Sequence, residues 1–173
     1  MNFEEKMKEI EIKLKYSDEK SLRERLTKIG AKPIQTYEII DTYYAKNGET
    51  MKTAENLLRI RTKKGVSEIT FKGKRETESA VWERVEINVP IGDAEKMELI
   101  LKNLGLVRIL KNRTLREYWD VHGTELGIMK ILEPAEVEFV EIEGKTKEDV
   151  EKTTQAFNGV LELIDKNYFN KLD

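Results

Sequence analysis

The 173-residue chain has no cysteine, a single histidine and only three prolines. Without cysteine there is no disulfide framework, no thiolate zinc site and no cysteine nucleophile. The one histidine, His122, precedes Gly123 at a turn signal, and by itself it cannot build a histidine triad or a multi-histidine metal centre. Any metal site must therefore use oxygen ligands, which favours magnesium, manganese or calcium. A basic excess is also missing. The formal net charge is −2, where a general nucleic-acid binder carries a surplus of lysine and arginine. No apolar run approaches the ~18 residues that span a bilayer. The N-terminus, MNFEEKMKEIE, lacks the apolar core of a secretory signal. The expected setting is cytoplasmic, with neither nucleic acid nor membrane as partner. Phosphate-binding loops of the G-x-x-x-x-G-K-[ST] and G-x-G-x-x-G types are absent, as are zinc motifs.

Charge is what the chain has in quantity: 37% of its residues are Asp, Glu, Lys or Arg, against 39% hydrophobic. Its length fits one domain, residues 1–173, with enough chain to bury a core. KEIEIKLKY (8–16) alternates with period two and reads as a strand. A helix opens at Ser17–Asp18, carries Leu22, Leu26 and Ile29 at helical spacing, and stops at Gly30. Strand-like runs follow at 34–45, 57–63, 68–74 and 81–89. A second helix is capped by Asp93 and ends at Gly105. Strands are expected at 106–121, 125–132 and 137–144. Thr146 with Asp149 then forms a capping-box pattern for a third helix.

An internal repeat runs through this order at an offset of 75. It relates Glu11 to Glu86, Ile12 to Ile87, Asp18 to Asp93, Leu26 to Leu101, Gly30 to Gly105 and Tyr43 to Tyr118. Each half reads strand, helix, glycine, long strand. One half leaves its sheet edges open, whereas two can join edge to edge and close the sheet. The rival explanation is coincidence between two common patterns.

Side chains on a strand alternate between faces, so each strand can be sorted. Glu9, Glu11 and Lys13 oppose Ile10, Ile12 and Leu14. Arg59 and Arg61 oppose Leu58 and Ile60. Thr70, Lys72 and Lys74 share a face, as do Arg84, Glu86 and Asn88, Lys111 and Arg113, and Glu141 and Glu143. A solvated sheet face accounts for any one such strand. It does not account for ordered cations on some strands and carboxylates two residues apart on others. A closed barrel with helices outside would turn this face inward. Carboxylates beside cations suit a polyanion carried with divalent metal: carboxylates hold the metal, arginine forks grip phosphate, and lysines add point charge. Trp82, Trp119, Tyr43 and Tyr44 read as barrel packing rather than base stacking.

In this order the motifs resemble the CYTH superfamily of triphosphate tunnel metalloenzymes. EIEIK (9–13) resembles its ExExK signature and LRIR (58–61) its arginine strand. ITFKGK (69–74), KNR (111–113), FVEIEG (139–144) and NYF (167–169) resemble later elements. The resemblance implies an α+β fold, a closed antiparallel eight-stranded β-barrel or triphosphate tunnel with helices packed outside, built here from two β-α-β-type halves. It implies that Glu9, Glu11, Glu141 and Glu143 ligate magnesium or manganese, with Glu86 as a further candidate acid. It implies that Lys13, Arg59, Arg61, Lys72, Arg84, Lys111 and Arg113 contact the triphosphate. Asp41 and Tyr43 fit the start of a D-x-Y-Y element. The chain departs from the pattern after residue 123, where the family has an aspartate in the penultimate strand. Lys130 or Glu133 falls near that place, and Glu133 is the candidate substitute.

Two reactions fit such a tunnel. In a class IV adenylate cyclase, the ribose 3′-hydroxyl of ATP attacks the α-phosphate and pyrophosphate leaves. In a thiamine or inorganic triphosphatase, water attacks the terminal phosphate. Neither needs a covalent nucleophile. The cyclase type ranks first, and a non-catalytic nucleotide or polyphosphate binder is the remaining alternative. Lys13 is the nearest candidate proton acceptor, with a purely electrostatic role as its rival. Nothing in the residues reads out an oligomeric state; the resemblance makes a homodimer plausible.

Overall fold

Alternation in the first segment does give a strand, β1 (Lys8–Tyr16), whose Ile12 and Leu14 are buried on one face. The computed structural model describes residues 8–74, 80–165 and 167–172. Along the chain β1 is followed by α1 (Glu19–Lys28), β2 (Lys32–Lys46), β3 (Leu57–Lys63), β4 (Val66–Lys72) and β5 (Trp82–Ile91). Then come α2 (Ala94–Asn103), β6 (Leu106–Val121), β7 (Thr124–Glu133), β8 (Val137–Gly144), α3 (Lys147–Ala156), the short β9 (Leu161–Leu163) and a 3-10 turn at Asn170–Leu172.

Asp18, not Ser17, caps α1: its carboxylate accepts from the backbone N–H groups of Lys20 and Ser21 at 3.2 and 2.9 Å. Asp93 does the same for α2 through Lys96 N–H at 3.0 Å. The two helices end alike, with Gly30 at φ 72 and Gly105 at φ 84 in the left-handed region that a Cβ disfavours. Offset by 75, the first three elements of one half fall on those of the other: β1 on β5, α1 on α2, β2 on β6. The correspondence lapses afterwards. Residues 47–56 separate β2 from β3, whereas a turn at His122–Gly123 joins β6 directly to β7.

All strand pairings are antiparallel. The order β5-β4-β3-β2-β6-β7-β8-β1 returns to its start, because β1 also pairs with β5, so eight strands close into a barrel. Among the described residues the β1–β5 pairing covers Lys8–Glu11, and β9 takes over the same edge from Leu14 to Tyr16. Closure gives each of the eight strands a neighbour on both sides.

The main apolar core lies outside the barrel rather than within it. Leu22 and Leu26 of α1 and Val150 of α3, with Phe157 just beyond α3, pack onto Ile12, Leu14, Leu126, Ile128, Val140 and Ile142 on the outer face of β1, β7 and β8. On the other half, Leu101 of α2 packs onto Tyr44 and Ile60. A third cluster closes one end of the lumen. There Tyr118, Met129, Ile131, Val137 and Phe139 meet Tyr37 of β2 and Tyr168, Phe169 and Leu172 of the C-terminal segment. With helices holding the outer face, the inner one is free to be polar. No helix among the described residues is long and apolar enough to cross a membrane.

Candidate functional site

The strand registers bring the charged faces together around one cavity of about 290 Å3. Its wall carries Glu9, Glu11 and Lys13 from β1, Arg59 and Arg61 from β3, Glu68 and Lys72 from β4, and Arg84, Glu86 and Asn88 from β5. Tyr43, Arg116, Tyr118, Glu125, Gly127, Met129, Glu141 and Glu143 complete it. Seven carboxylates and six cations thus share the wall. The lumen is close to neutral, so it is no simple anion trap. A polyanion entering it needs compensating cations of its own.

The acids form one wall. Glu125, Glu143 and Glu11 are direct neighbours across β7, β8 and β1, each opposite the next in the ladder. Adjacent strands lie about 5 Å apart, and like charges placed directly opposite repel. Burial, and then the charges of Glu9, Glu11, Glu125 and Glu141, push the Glu143 carboxyl up to about 8. Water reaches Glu143 at the rim and screens part of that repulsion. Burial also raises Glu9 and Glu11. Deeper in, burial works against ionisation of Glu141, but Lys13 and Arg116 overcome it and hold the group at about 2. Lys13 is ion-paired to Glu141 and lies 3.3 Å from Glu11. Glu86 is likewise held at about 2 against burial, by its hydrogen bond with Glu9 and by Lys72 and Arg84. Burial, and then the nearby Arg59 charge, lower the Lys72 ammonium to about 8.

Arg59, Arg61 and Arg116 form the facing wall, ordered by one fully buried acid. Asp41 accepts from Arg61 Nε and Nη2, both at 2.8 Å, and from Arg116 Nη2 at 3.2 Å; Arg59 Nε lies 4.0 Å away. Burial opposes its charge, but Arg61, Arg59 and Arg116 hold Asp41 at about 2. Arg59 also donates to Thr70 at 2.9 Å. The cation wall is therefore pre-set, with the guanidiniums fixed before any ligand arrives.

Glu9, Glu11, Lys13, Arg59, Arg61, Lys72, Arg84, Glu86, Glu141 and Glu143 all reach the cavity, as the alternation of their strands requires. Lys111, Arg113 and Glu133 do not. In β6 the even positions face inward: Asn112 and Thr114 are buried, and Arg116 and Tyr118 line the lumen. The K-x-R pair therefore points outside, where Lys111 is exposed and Arg113 binds Glu38 at 3.0 Å and Glu133 at 2.9 Å. That outer pair also removes Glu133 as the substitute acid. The acid that the penultimate strand brings to the lumen is Glu125, opposite Glu143. Lys74 likewise leaves the lumen and pairs with Glu55. Of the aromatics, Trp119 lies outside and bonds Glu117, and Tyr44 packs under α2. Tyr43 lines the cavity, and Trp82 is buried with Lys13 and Arg84 near its ring. The repeat carried the missing signal: Arg116 and Tyr118 stand 75 residues after Asp41 and Tyr43, which share the inward face of β2.

Hard divalent cations fit this donor set. The acceptors are carboxylate oxygens, and two of them, Oε2 of Glu9 and Oε1 of Glu11, are buried without a hydrogen-bond donor. Among the described residues no three acids already converge as a finished coordination shell. A bound cation would have to draw them together or share them with ligand oxygens. On the opposite wall, Nε of Arg59 and Nε of Arg116 are buried donors without an acceptor. The lumen thus leaves acceptors unsatisfied on one side and donors on the other.

Comparison with known proteins agrees with this geometry. The family model described as the CYTH domain matches residues 7–171. A protein of Methanocaldococcus jannaschii whose name proposes an adenylate cyclase is 30% identical over 162 residues, covering 91% of this chain and 88% of its own. Among solved structures, a protein of Pyrococcus horikoshii OT3 superposes with a TM-score of 0.73 at 20% identity, covering 95% of this chain and 99% of its own. A Hippeastrum protein, first assigned as an adenylyl cyclase and described with a dominant triphosphatase activity, superposes with a TM-score of 0.71 at 17% identity. That match covers 95% of this chain and 94% of its own.

Proposed function

The chain belongs to the CYTH family, and from that premise we propose that it is a divalent-metal-dependent enzyme acting on an organic triphosphate inside the barrel. The observation that carries this reading is the pair of unmet demands facing each other across the lumen. Buried acceptors on Glu9 and Glu11 lack a hydrogen-bond donor, with Lys13, Lys72 and Arg84 standing 3.3–3.7 Å off as ion-pair partners, and buried Nε donors on Arg59 and Arg116 lack an acceptor. A triphosphate with its metal supplies both at once. A hydrogen bond to a charged group contributes about 1.5–3 kcal/mol, so such a complex would gain at each of these atoms on binding.

Arg59, Arg61 and Arg116 would grip phosphate oxygens, with Lys72 and Arg84 adding charge from the neighbouring strands. Lys13, already paired with Glu11 and Glu141, serves better as a fixed charge than as a proton acceptor. Glu9, Glu11 and Glu143, with Glu125 and Glu141 beside them, would hold magnesium or manganese. When bound, that ion supplies charge neutralisation on phosphate and acidifies the attacking hydroxyl or water.

The first reading of the reaction is cyclisation: the 3′-oxygen of ATP bonds to the α-phosphorus, the bond to the β-phosphate breaks, and pyrophosphate leaves with its charge held by the arginine wall. The name of the M. jannaschii relative favours it. The second reading is hydrolysis of the terminal phosphate, favoured by the activity ascribed to the Hippeastrum protein. One panel separates them: ATP, thiamine triphosphate and tripolyphosphate, each with magnesium or manganese. Cyclic AMP with pyrophosphate supports the cyclase, and orthophosphate release supports the hydrolase. Tight binding without turnover would overturn both and leave a binder.

A further inference from the structure

The cation face of β3 does not end inside the barrel. Arg59, Arg61 and Lys63 share one face at steps of two residues, and the third, the last residue of β3, is half-exposed beside the turn at Lys64–Gly65 and lies outside the cavity lining. There the Lys63 ammonium sits 3.4 Å from the ring centroid of Tyr37, a half-buried residue on the inward face of β2. Tyr37 in turn lies 5.5 Å from the ring of Tyr118, tilted by 30°. The Tyr118 ring lies down along the wall over Gly127, where an added Cβ would come within 3.2 Å of it. Tyr118 thereby backs Tyr37 and joins it to the cavity.

We infer that Tyr37, backed by Tyr118 and covered by Lys63, is the stacking platform for the heteroaromatic base of a nucleoside triphosphate. The inference rests on the triphosphate reading of the lumen and adds which end of the tunnel takes the organic group. Three observations favour this position. Tyr118 and Tyr37 belong to the same apolar cluster as Met129, Ile131, Val137 and Phe139, on which Tyr168 and Phe169 also pack, so the platform is braced from beneath by packed side chains. The other large lumen aromatic, Trp82, is buried and already lies beside Lys13 and Arg84. The step from Arg61 to Lys63 is about 7 Å along the strand, which leaves room for a sugar between a phosphate held at Arg61 and a ring on Tyr37.

Lys63 holds the position the base would take. It is half-exposed on a flexible four-carbon arm, so a flat ring can displace it from the tyrosine face. The freed ammonium then stays close to the phosphates on the same stripe. Its charge also reaches Glu125, which lines the cavity.

The test is calorimetric binding of ATP and of tripolyphosphate, each with magnesium, to the full chain and to Tyr37→Ala and Tyr37→Phe. The expected result is a change in the ratio of the two affinities. Tyr37→Ala should weaken ATP relative to tripolyphosphate about 5- to 100-fold, the range of one lost base stack. Tyr37→Phe, which keeps the ring, should restore the wild-type ratio. An unchanged ratio in Tyr37→Ala, or a loss that Tyr37→Phe does not repair, overturns the platform. Wild-type protein that binds tripolyphosphate but not ATP also overturns it while leaving the triphosphate lumen standing. Wild-type protein that binds neither anion overturns both.

Discussion

Glu9 and Arg84 stand directly opposite each other in the β1–β5 pairing, and they are also the same position in the two halves of the chain, 75 residues apart. Only a residue on a twofold axis can pair with its own equivalent. The same coincidence recurs in the β2–β6 pairing, where Ile39 pairs with Thr114. The two register shifts of that pairing obey it as well, one passing over Ile34 and the other over Ile109. The barrel is therefore a backbone pseudo-dimer whose axis crosses the lumen. Its charges break the symmetry. Glu9 corresponds to Arg84 and Asp41 to Arg116, and each acid faces its opposite number in the fold. Reversing charge between equivalent positions is how one repeated backbone comes to present an acid wall and a cation wall.

The cation wall predicts a contrast within β6. Arg116→Ala should weaken magnesium–tripolyphosphate binding about 10- to 100-fold, as expected for a lost charge-assisted hydrogen bond. Arg113→Ala, whose partners are Glu38 and Glu133 on the outer surface, should stay within about twofold, the range of an exposed ion pair. Titration calorimetry on the two variants decides it. Equal losses would mean that the outer pair supports the lumen indirectly.

Asp41 predicts an acid limb in the stability curve. Its folded value of about 2 lies below its ordinary 3.8. A depressed carboxylate contributes stability that is complete above the unfolded value and disappears as pH falls through the folded one. The window is therefore about pH 4 down to 2, and the contribution is about 2 kcal/mol. Asp41→Asn should have a shallower limb, with the share of Glu86 and Glu141, also held at about 2, remaining. It should also be weaker at neutral pH by about 3–5 kcal/mol, because Arg59, Arg61 and Arg116 lose their shared counter-charge. Denaturant melts at several pH values would show both effects. A wild-type curve without a decline in that window would show that Asp41 is not the group responsible.

The acid wall predicts the opposite slope. Because the Glu143 carboxyl is raised, the folded metal-free chain holds a proton there that the unfolded chain releases. Its stability should fall as pH rises from about 4.5 to about 8. Magnesium or manganese should lift the melting temperature most at the upper end of that range, by mass action on the folded state. Glu143→Gln should flatten the decline, and Glu11→Gln with Glu143→Gln should abolish the metal-dependent rise. A melting temperature indifferent to metal across the range would remove these acids as ligands.

Much of this was legible from alternation alone. The inward faces of β1, β3, β4, β5 and β8 follow from period two, and ten of the expected site residues lie where that rule puts them. β6 was not legible in the same way. LVRILKNRTLREYW carries cations on both faces, at Lys111 and Arg113 on one and Arg116 on the other, so charge does not say which face is inside. Register decides, and register is set by pairing with β2 across a bulge that one strand's sequence does not reveal. In β7 the motif spacing points to Lys130 or Glu133, near the C-terminal end. Glu125, at the start, reaches the lumen because it lies opposite Glu143. The C-terminal cluster over Phe139 depends on a tail folding back across the barrel, and no periodicity announces that.

The pseudo-axis itself yields the last prediction, a charge exchange at its centre. Glu9 Oε2 lies 3.7 Å from Arg84 Nε, and either residue alone can be replaced by the other's type. Glu9→Arg sets two guanidiniums side by side near Lys72. Arg84→Glu adds an acid beside Glu86 and Glu11. Each single change should therefore destabilise the barrel. Because the two positions are equivalent in backbone and directly opposed, the double exchange Glu9→Arg with Arg84→Glu rebuilds an ion pair in the same place. Stability should return by a coupling of about 1–3 kcal/mol. Metal-dependent turnover should not return, because an acid moved from β1 to β5 no longer stands on the strand that carries Glu11 and borders Glu143. A double variant that recovers both stability and turnover would show that the acid wall tolerates either side of the axis; one that recovers neither would show that the two residues are coupled more strongly to their other neighbours than to each other.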